Sequence, residues 1–229
     1  MKYISFIITA LLALFSTINL SAKSPQNLDI LATVKTEENR RIFITTDIYT
    51  IEGEYVTSLK SNTYTSEEDK TVSIKQTLSI PEFGKYQITN KLYTSVPVKE
   101  ANPQQRIRVE EPLCYQESFT FEITCENPVY NWELDIEKRN VEFANKSAVI
   151  LSKIGEFVQE NKIEHFIYLN GPVRDISFSI KGKGKIQDYI YSDNGYISGV
   201  IISTTPSFRS FTLKAKAKGL KGGKIRIKK

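Results

Sequence analysis

Hydrophobic and polar positions alternate with a period of two along most of the chain. Ile42, Ile44, Thr46 and Ile48 interleave with Phe43, Thr45 and Asp47, and similar runs follow at 55–59, 71–80 and 86–93. These runs are rich in β-branched and aromatic residues and are separated by Glu52-Gly53-Glu54, Ser66-Glu67-Glu68-Asp69 and Pro81-Glu82-Phe83-Gly84. Successive side chains of a strand point to opposite faces, so short alternating runs with turn residues between them predict an antiparallel sandwich or barrel. A polar stretch at 99–105, a last strand at 106–109 and Glu110-Glu111-Pro112 close this region and set a domain boundary near Pro112. The second unit opens with Phe119, Phe121, Ile123 and Cys125 on one strand face, followed by a strand at 130–136 that carries Trp132. Further strands are expected at 163–169, 174–180, 187–191, 196–203, 210–217 and 224–227. Ile150, Ile154, Phe157 and Val158 recur at helical spacing behind Ser147, so 148–158 reads as a short helix or as two short strands broken at Gly155.

The amino terminus follows a different rule. Lys2 precedes an apolar, uncharged run at 4–14, and polar Ser16, Thr17 and Asn19 lead to Leu20-Ser21-Ala22. The run is short for a membrane span and ends in a small residue, which is the pattern of a secretory signal cleaved after Ala22. Nothing after Ala22 approaches the ~18 apolar residues of a spanning helix, so the expected product is periplasmic, secreted or held at the cell surface. In an oxidising compartment a lone pair of cysteines forms a bridge more often than a metal or redox site. A Cys114–Cys125 disulfide is therefore expected, with two free buried thiols as the alternative. Closing that loop would stabilise the chain by roughly 3 kcal/mol in the chain-entropy picture. Two thiols without CxxC spacing are too few for a structural zinc.

Two stretches resemble a known family. The first is the carboxy-terminal part, with Asp175-Ile176-Ser177-Phe178-Ser179-Ile180-Lys181-Gly182-Lys183-Gly184-Lys185-Ile186, then Gly195-Tyr196-Ile197-Ser198-Gly199-Val200-Ile201-Ile202, and the closing Phe211-Thr212-Leu213-Lys214-Ala215-Lys216-Ala217-Lys218-Gly219-Leu220-Lys221 before Lys224-Ile225-Arg226-Ile227. This succession of strand, Gly-x-Gly-x-Ile turn, strand and terminal hairpin resembles bacterial immunoglobulin-like domains, which occur in invasin-type surface proteins and as accessory modules of family 2 glycoside hydrolases. The region 41–93 is similar to the sandwich that precedes the catalytic barrel in those hydrolases, with Ile80-Pro81-Glu82-Phe83-Gly84 where they carry Asn-Pro-x-Leu-Trp. The resemblance implies an all-β fold of two immunoglobulin-like antiparallel β-sandwich domains, 23–112 and 113–229, with any short helix in the second. The chain has no room for a barrel of ~250 residues.

Composition adds mainly exclusions. With 25% charged and 40% hydrophobic residues in 229, the chain is neither collagen-like, low-complexity nor wholly disordered. His165 is the sole imidazole, so any Ser-His-Asp or Cys-His arrangement has to use it. Nothing nearby marks a nucleophile, and a strand histidine satisfied by its neighbours is expected. Neither GxxxxGK[ST] nor GxGxxG occurs, and Gly182-Lys183-Gly184 does not lead into a helix. No enzyme activity, metal or cofactor is expected.

Charge is the more informative quantity. Residues 181–229 hold 12 basic and 2 acidic side chains, a net +10, whereas 23–180 hold 18 basic and 24 acidic, a net −6. Lys214, Lys216 and Lys218 alternate with Phe211, Leu213, Ala215 and Ala217, as Lys224, Arg226 and Lys228 do with Ile225 and Ile227. If the two strands pair, all six cations share one outer face suited to an acidic protein surface or an anionic envelope polysaccharide. Nucleic acid fits the charge but not an exported address. The plainer account is a solvated hairpin whose lysines discourage edge-to-edge association. The expected function is that of an exported, non-enzymatic protein of surface binding, adhesion or fibre structure. The alternatives are a periplasmic chaperone-like assembly factor for surface fibres and an accessory carbohydrate-binding module.

Overall fold

A computed structural model describes residues 26–37, 39–66, 70–95 and 113–229. The expected leader at 1–22 and strand at 106–109 fall outside these. In chain order the elements are β1 (Gln26–Lys35), β2 (Arg41–Thr50), β3 (Tyr55–Lys60), β4 (Tyr64–Thr65), β5 (Thr71–Ile80), β6 (Gly84–Thr94), β7 (Leu113–Ile123) and β8 (Val129–Asp135). After the helix α1 (Ile136–Ala144) come β9 (Leu151–Val158), β10 (Ile163–Val173), β11 (Ile176–Gly182), β12 (Lys185–Tyr191), β13 (Ile197–Thr204), β14 (Ser210–Ala217) and β15 (Gly223–Lys228). The all-β reading holds, and no helix among the described residues is long and apolar enough to cross a membrane.

Three sheets carry these strands. A seven-stranded sheet runs β12-β13-β10-β9-β8-β1-β5, a five-stranded sheet runs β3-β2-β6-β7 with β4 beside β2, and a three-stranded sheet runs β11-β14-β15. Strand pairing crosses the boundary expected at 112 twice. β6 pairs with β7 from Gly84↔Ile123 to Tyr93↔Leu113, and β1 lies parallel to β8 from Asp29↔Val129 to Lys35↔Asp135. The two expected domains are thus joined through shared sheets, and one of the joints is parallel rather than antiparallel.

The smaller sheets cover opposite faces of the large one. On β10, Phe166 and Tyr168 join the core shared with the five-stranded sheet, whereas Ile163, Ile167 and Leu169 join the core beneath the three-stranded sheet. The alternation of strand side chains divides one strand between two cores. Hence Ile163 to Asn170 is buried without interruption, while β1 and β5, covered on one side, alternate buried and exposed residues.

The helix lies earlier than the 148–158 expected of it. Asp135 caps α1 by accepting a hydrogen bond from the Lys138 backbone N–H at 3.0 Å, and the buried side chains of α1 are Ile136, Arg139 and Glu142. Residues 151–158 instead form the one strand β9, in register with β10 on both sides of an irregularity at Ile154 rather than broken into two strands at Gly155. Gly155 is needed there, because a Cβ would lie 2.6 Å from Tyr130 Oη and 2.8 Å from the Asn131 carbonyl oxygen.

The expected disulfide is absent: Cys114 and Cys125 are both free. Cys114 occupies the irregularity near the start of β7, and Cys125 lies just past its other end. An extended strand rises about 3.3 Å per residue, which separates the two by roughly 30 Å or more, whereas a bridge needs Cα atoms within about 7 Å. The Cys125 thiol instead lies 3.7 Å from Gln159 Oε1.

Candidate functional site

The carboxy-terminal cations are brought together as their alternation predicts. β14 pairs with β15 so that Lys214 stands opposite Lys224, Thr212 opposite Arg226 and Ser210 opposite Lys228. β11 adds Ser177 opposite Lys216, Ser179 opposite Lys214 and Lys181 opposite Thr212. Phe211, Leu213, Ala215 and Ile227 point into the core, which turns Lys214, Lys216, Lys224, Arg226 and Lys228 outward with Lys181. The outward positions of this sheet are all Lys, Arg, Ser or Thr, and none is a carboxylate. Lys218 lies past the end of β14, exposed at the turn through Gly219. A depression of ≈ 290 Å³ lies between Lys214, Lys216, Lys224 and the Gly222-Gly223 backbone.

His165 is enclosed rather than presented. Its ring is 0% exposed, lies edge-on to Phe208 at 5.0 Å between centroids, and has Phe211 at 5.3 Å. Nε2 lies 3.0 Å from Thr204 Oγ1, and Nδ1 lies 3.3 Å from Glu156 Oε2. The adjacent His165, then Lys153 at 2.7 Å, hold the Glu156 carboxyl down at about 2 against the opposing effect of burial. The order hydroxyl, imidazole, carboxylate is that of a nucleophilic triad. Here the hydroxyl belongs to Thr204, which is 6% exposed.

A second polar site was not anticipated. β7 is the edge strand of the five-stranded sheet, and beyond it the face of β10, β13 and β12 carrying Tyr168 and Ile190 forms a shelf. A cleft of ≈ 270 Å³ lies there, lined by Tyr115 and Glu117 from β7, Arg139 and Phe143 from α1, Tyr168 from β10, and Tyr191 from β12. Arg139 Nη2 donates to the Leu169 carbonyl at 3.0 Å, Nη1 donates to Glu142 at 3.4 Å, and the guanidinium lies 4.3 Å from the Phe143 ring centre. Glu117 Oε1 accepts from the Tyr130 hydroxyl and from Asn90 Nδ2, the latter at 3.3 Å. The network continues into the core, where the Thr46 hydroxyl lies 2.9 Å from Asn90 Oδ1 and 3.0 Å from Gln76 Oε1. Burial pushes the Glu117 carboxyl up to about 7 even though these donors favour its ionised form. Burial likewise pushes the Tyr130 and Tyr168 hydroxyls well above their ordinary value.

Part of this site had a sequence signal. The inward alternation of Phe119, Phe121 and Ile123, carried back two and four residues, places Glu117 and Tyr115 on the core side of β7. A carboxylate at an inward strand position needs partners, which marks it for function or for a buried network. Arg139 had no such signal, because the helix carrying it buries polar side chains.

No family profile and no curated protein matches the sequence. Among solved structures, a β-glucuronidase of Parabacteroides merdae aligns with 90% of this chain and 25% of its own, at 12% identity and a TM-score of 0.26. The exo-chitosanase of Amycolatopsis orientalis aligns with 86% of this chain and 24% of its own, at 8% identity and a TM-score of 0.24. A marsupial T cell receptor aligns with 89% and 97%, at 11% identity and a TM-score of 0.25. The chain spans about a quarter of the length of the two glycosidases. At overlaps this small, the architecture rests on the strand pairing itself.

Proposed function

We propose that the chain is an exported, non-enzymatic binding protein that holds an anionic envelope polysaccharide on the outer face of the β11-β14-β15 sheet. The observation that carries this reading is the register that places Lys181, Lys214, Lys216, Lys224, Arg226 and Lys228 on one face free of carboxylates. Neighbouring strands are about 4.8 Å apart, and same-face residues along a strand about 7 Å. A grid of cations at this spacing suits a linear polymer with a charge on every sugar or two, more than a single small anion. Like charges directly opposite in a sheet are destabilising, so the Lys214–Lys224 pair costs stability that an anionic partner would relieve.

The test is titration of polygalacturonate and of neutral dextran against the folded chain and the Lys214→Gln, Lys216→Gln, Lys224→Gln, Arg226→Gln variant. Exposed charge contacts contribute about 0.3–0.5 kcal/mol each, so removing four should weaken polygalacturonate binding about tenfold. Its salt dependence should flatten as well, with neutral dextran bound by neither protein. Equal affinity of wild type and variant for the polyanion overturns the proposal, as does a preference for the neutral polymer.

A further inference from the structure

Independently of the basic face, the geometry points to the cleft between β7, α1 and the β10-β13-β12 shelf as a binding site for a neutral polyhydroxylated ring, of pyranose or cyclitol class. Three side chains lining it each hold a buried polar atom without a hydrogen-bond partner among the described residues: Glu117 Oε2, Tyr168 Oη and Arg139 Nε. The residues are 3%, 6% and 5% exposed. Unmatched buried polar atoms cost about 1–3 kcal/mol each, and most proteins keep few of them. Three bordering one cavity mark a place where something else supplies the partners.

The chemistry of the three restricts the ligand. The Arg139 Nε–H can only donate, Glu117 Oε2 accepts when ionised and can donate when protonated, and the Tyr168 hydroxyl can do both. An ammonium ligand would leave the arginine donor unmatched, and a simple anion would face the Glu117 carboxylate. Adjacent hydroxyls on a ring offer donors and acceptors side by side and match all three. Tyr115, Phe143 and Tyr191 add aromatic surface for the apolar face of such a ring. The volume lies just under the ~300–1,000 Å³ range of small-molecule sites, which fits one ring better than a chain of them.

The test is saturation-transfer NMR of the folded chain with methyl α-glucoside, methyl α-galactoside, methyl α-mannoside and myo-inositol, with tetramethylammonium and acetate as competing chemistries. At least one ring probe should bind. Tyr168→Phe removes only a hydroxyl that has no hydrogen-bond partner among the described residues, so it should weaken that probe about three- to tenfold while leaving the urea midpoint unchanged or slightly raised. Tyr191→Ala, at an exposed rim position, should weaken it without loss of fold, and the basic-face variant above should bind it as wild type does. The inference is overturned if no ring probe binds, if tetramethylammonium or acetate binds in preference, if Tyr168→Phe binds as wild type does, or if that variant is markedly destabilised.

Discussion

Replacing Glu117 with glutamine should remove the part of the pH dependence of stability that this buried carboxyl contributes. The Glu117 carboxyl is raised from 4.5 to about 7, chiefly by burial. Between those two pH values the folded chain holds a proton that the unfolded chain has released. Wild-type stability therefore falls as pH rises through this window and stays lower above it. At about 1.4 kcal/mol for each pH unit, the loss is roughly 3 kcal/mol. Glutamine keeps a carbonyl oxygen to accept from Tyr130 and Asn90, turns its amide toward the cleft, and never ionises. The variant should match wild type within about 1 kcal/mol at pH 5 and exceed it by roughly 2–3 kcal/mol at pH 8. Glu164, whose carboxyl is also pushed up by burial, titrates in both proteins and cancels in the difference. Urea unfolding followed by the fluorescence of Trp132, the single tryptophan, at pH 5, 6.5 and 8 measures the effect. Parallel pH dependences for the two proteins would show that Glu117 is not the group responsible.

Two further outcomes test the packing. Gly155→Ala should lower the urea midpoint by an amount equivalent to about 1–3 kcal/mol, because the new Cβ would meet Tyr130 Oη and the Asn131 carbonyl oxygen at 2.6 and 2.8 Å; an unchanged midpoint would mean that β8 and β9 lie farther apart than described. Denatured without reductant in the presence of a maleimide, the purified monomer should label at both Cys114 and Cys125, and finding neither thiol labelled would refute their placement at opposite ends of β7.

What the sequence made legible is what a strand's own period determines. The alternation in 210–217 and 224–228 was sufficient to place Lys214, Lys216, Lys224, Arg226 and Lys228 on one side of a sheet, since strand-face assignment needs only local information, whereas Lys218 falls past the end of β14. β1 has an equally regular pattern in Leu28, Ile30, Ala32 and Val34 but lies outside the strands expected above, and its parallel partner β8 is remote in sequence. The unbroken burial of β10 reflects two sheets covering opposite faces, a relation no single strand encodes. α1 escaped notice because the residues it buries at helical spacing include Arg139 and Glu142, so apolar periodicity is lost where the helix forms. The two cysteines are near in sequence, yet the intervening run is one continuous strand, and extension places them far apart in space.

The parallel joint between β1 and β8 has a consequence for the order in which the chain can fold. Asp29 opposite Val129 is a contact across about a hundred residues, and topologies dominated by such distant pairings fold slowly. β1 can find β5 early, and β2 can find β6, but the remaining edges of β1 and β6 are filled by β8 and β7. During synthesis, the strands of 26–95 would thus present two edges able to recruit other chains. Both edges stay open until residues 113–135 arrive to pair with them.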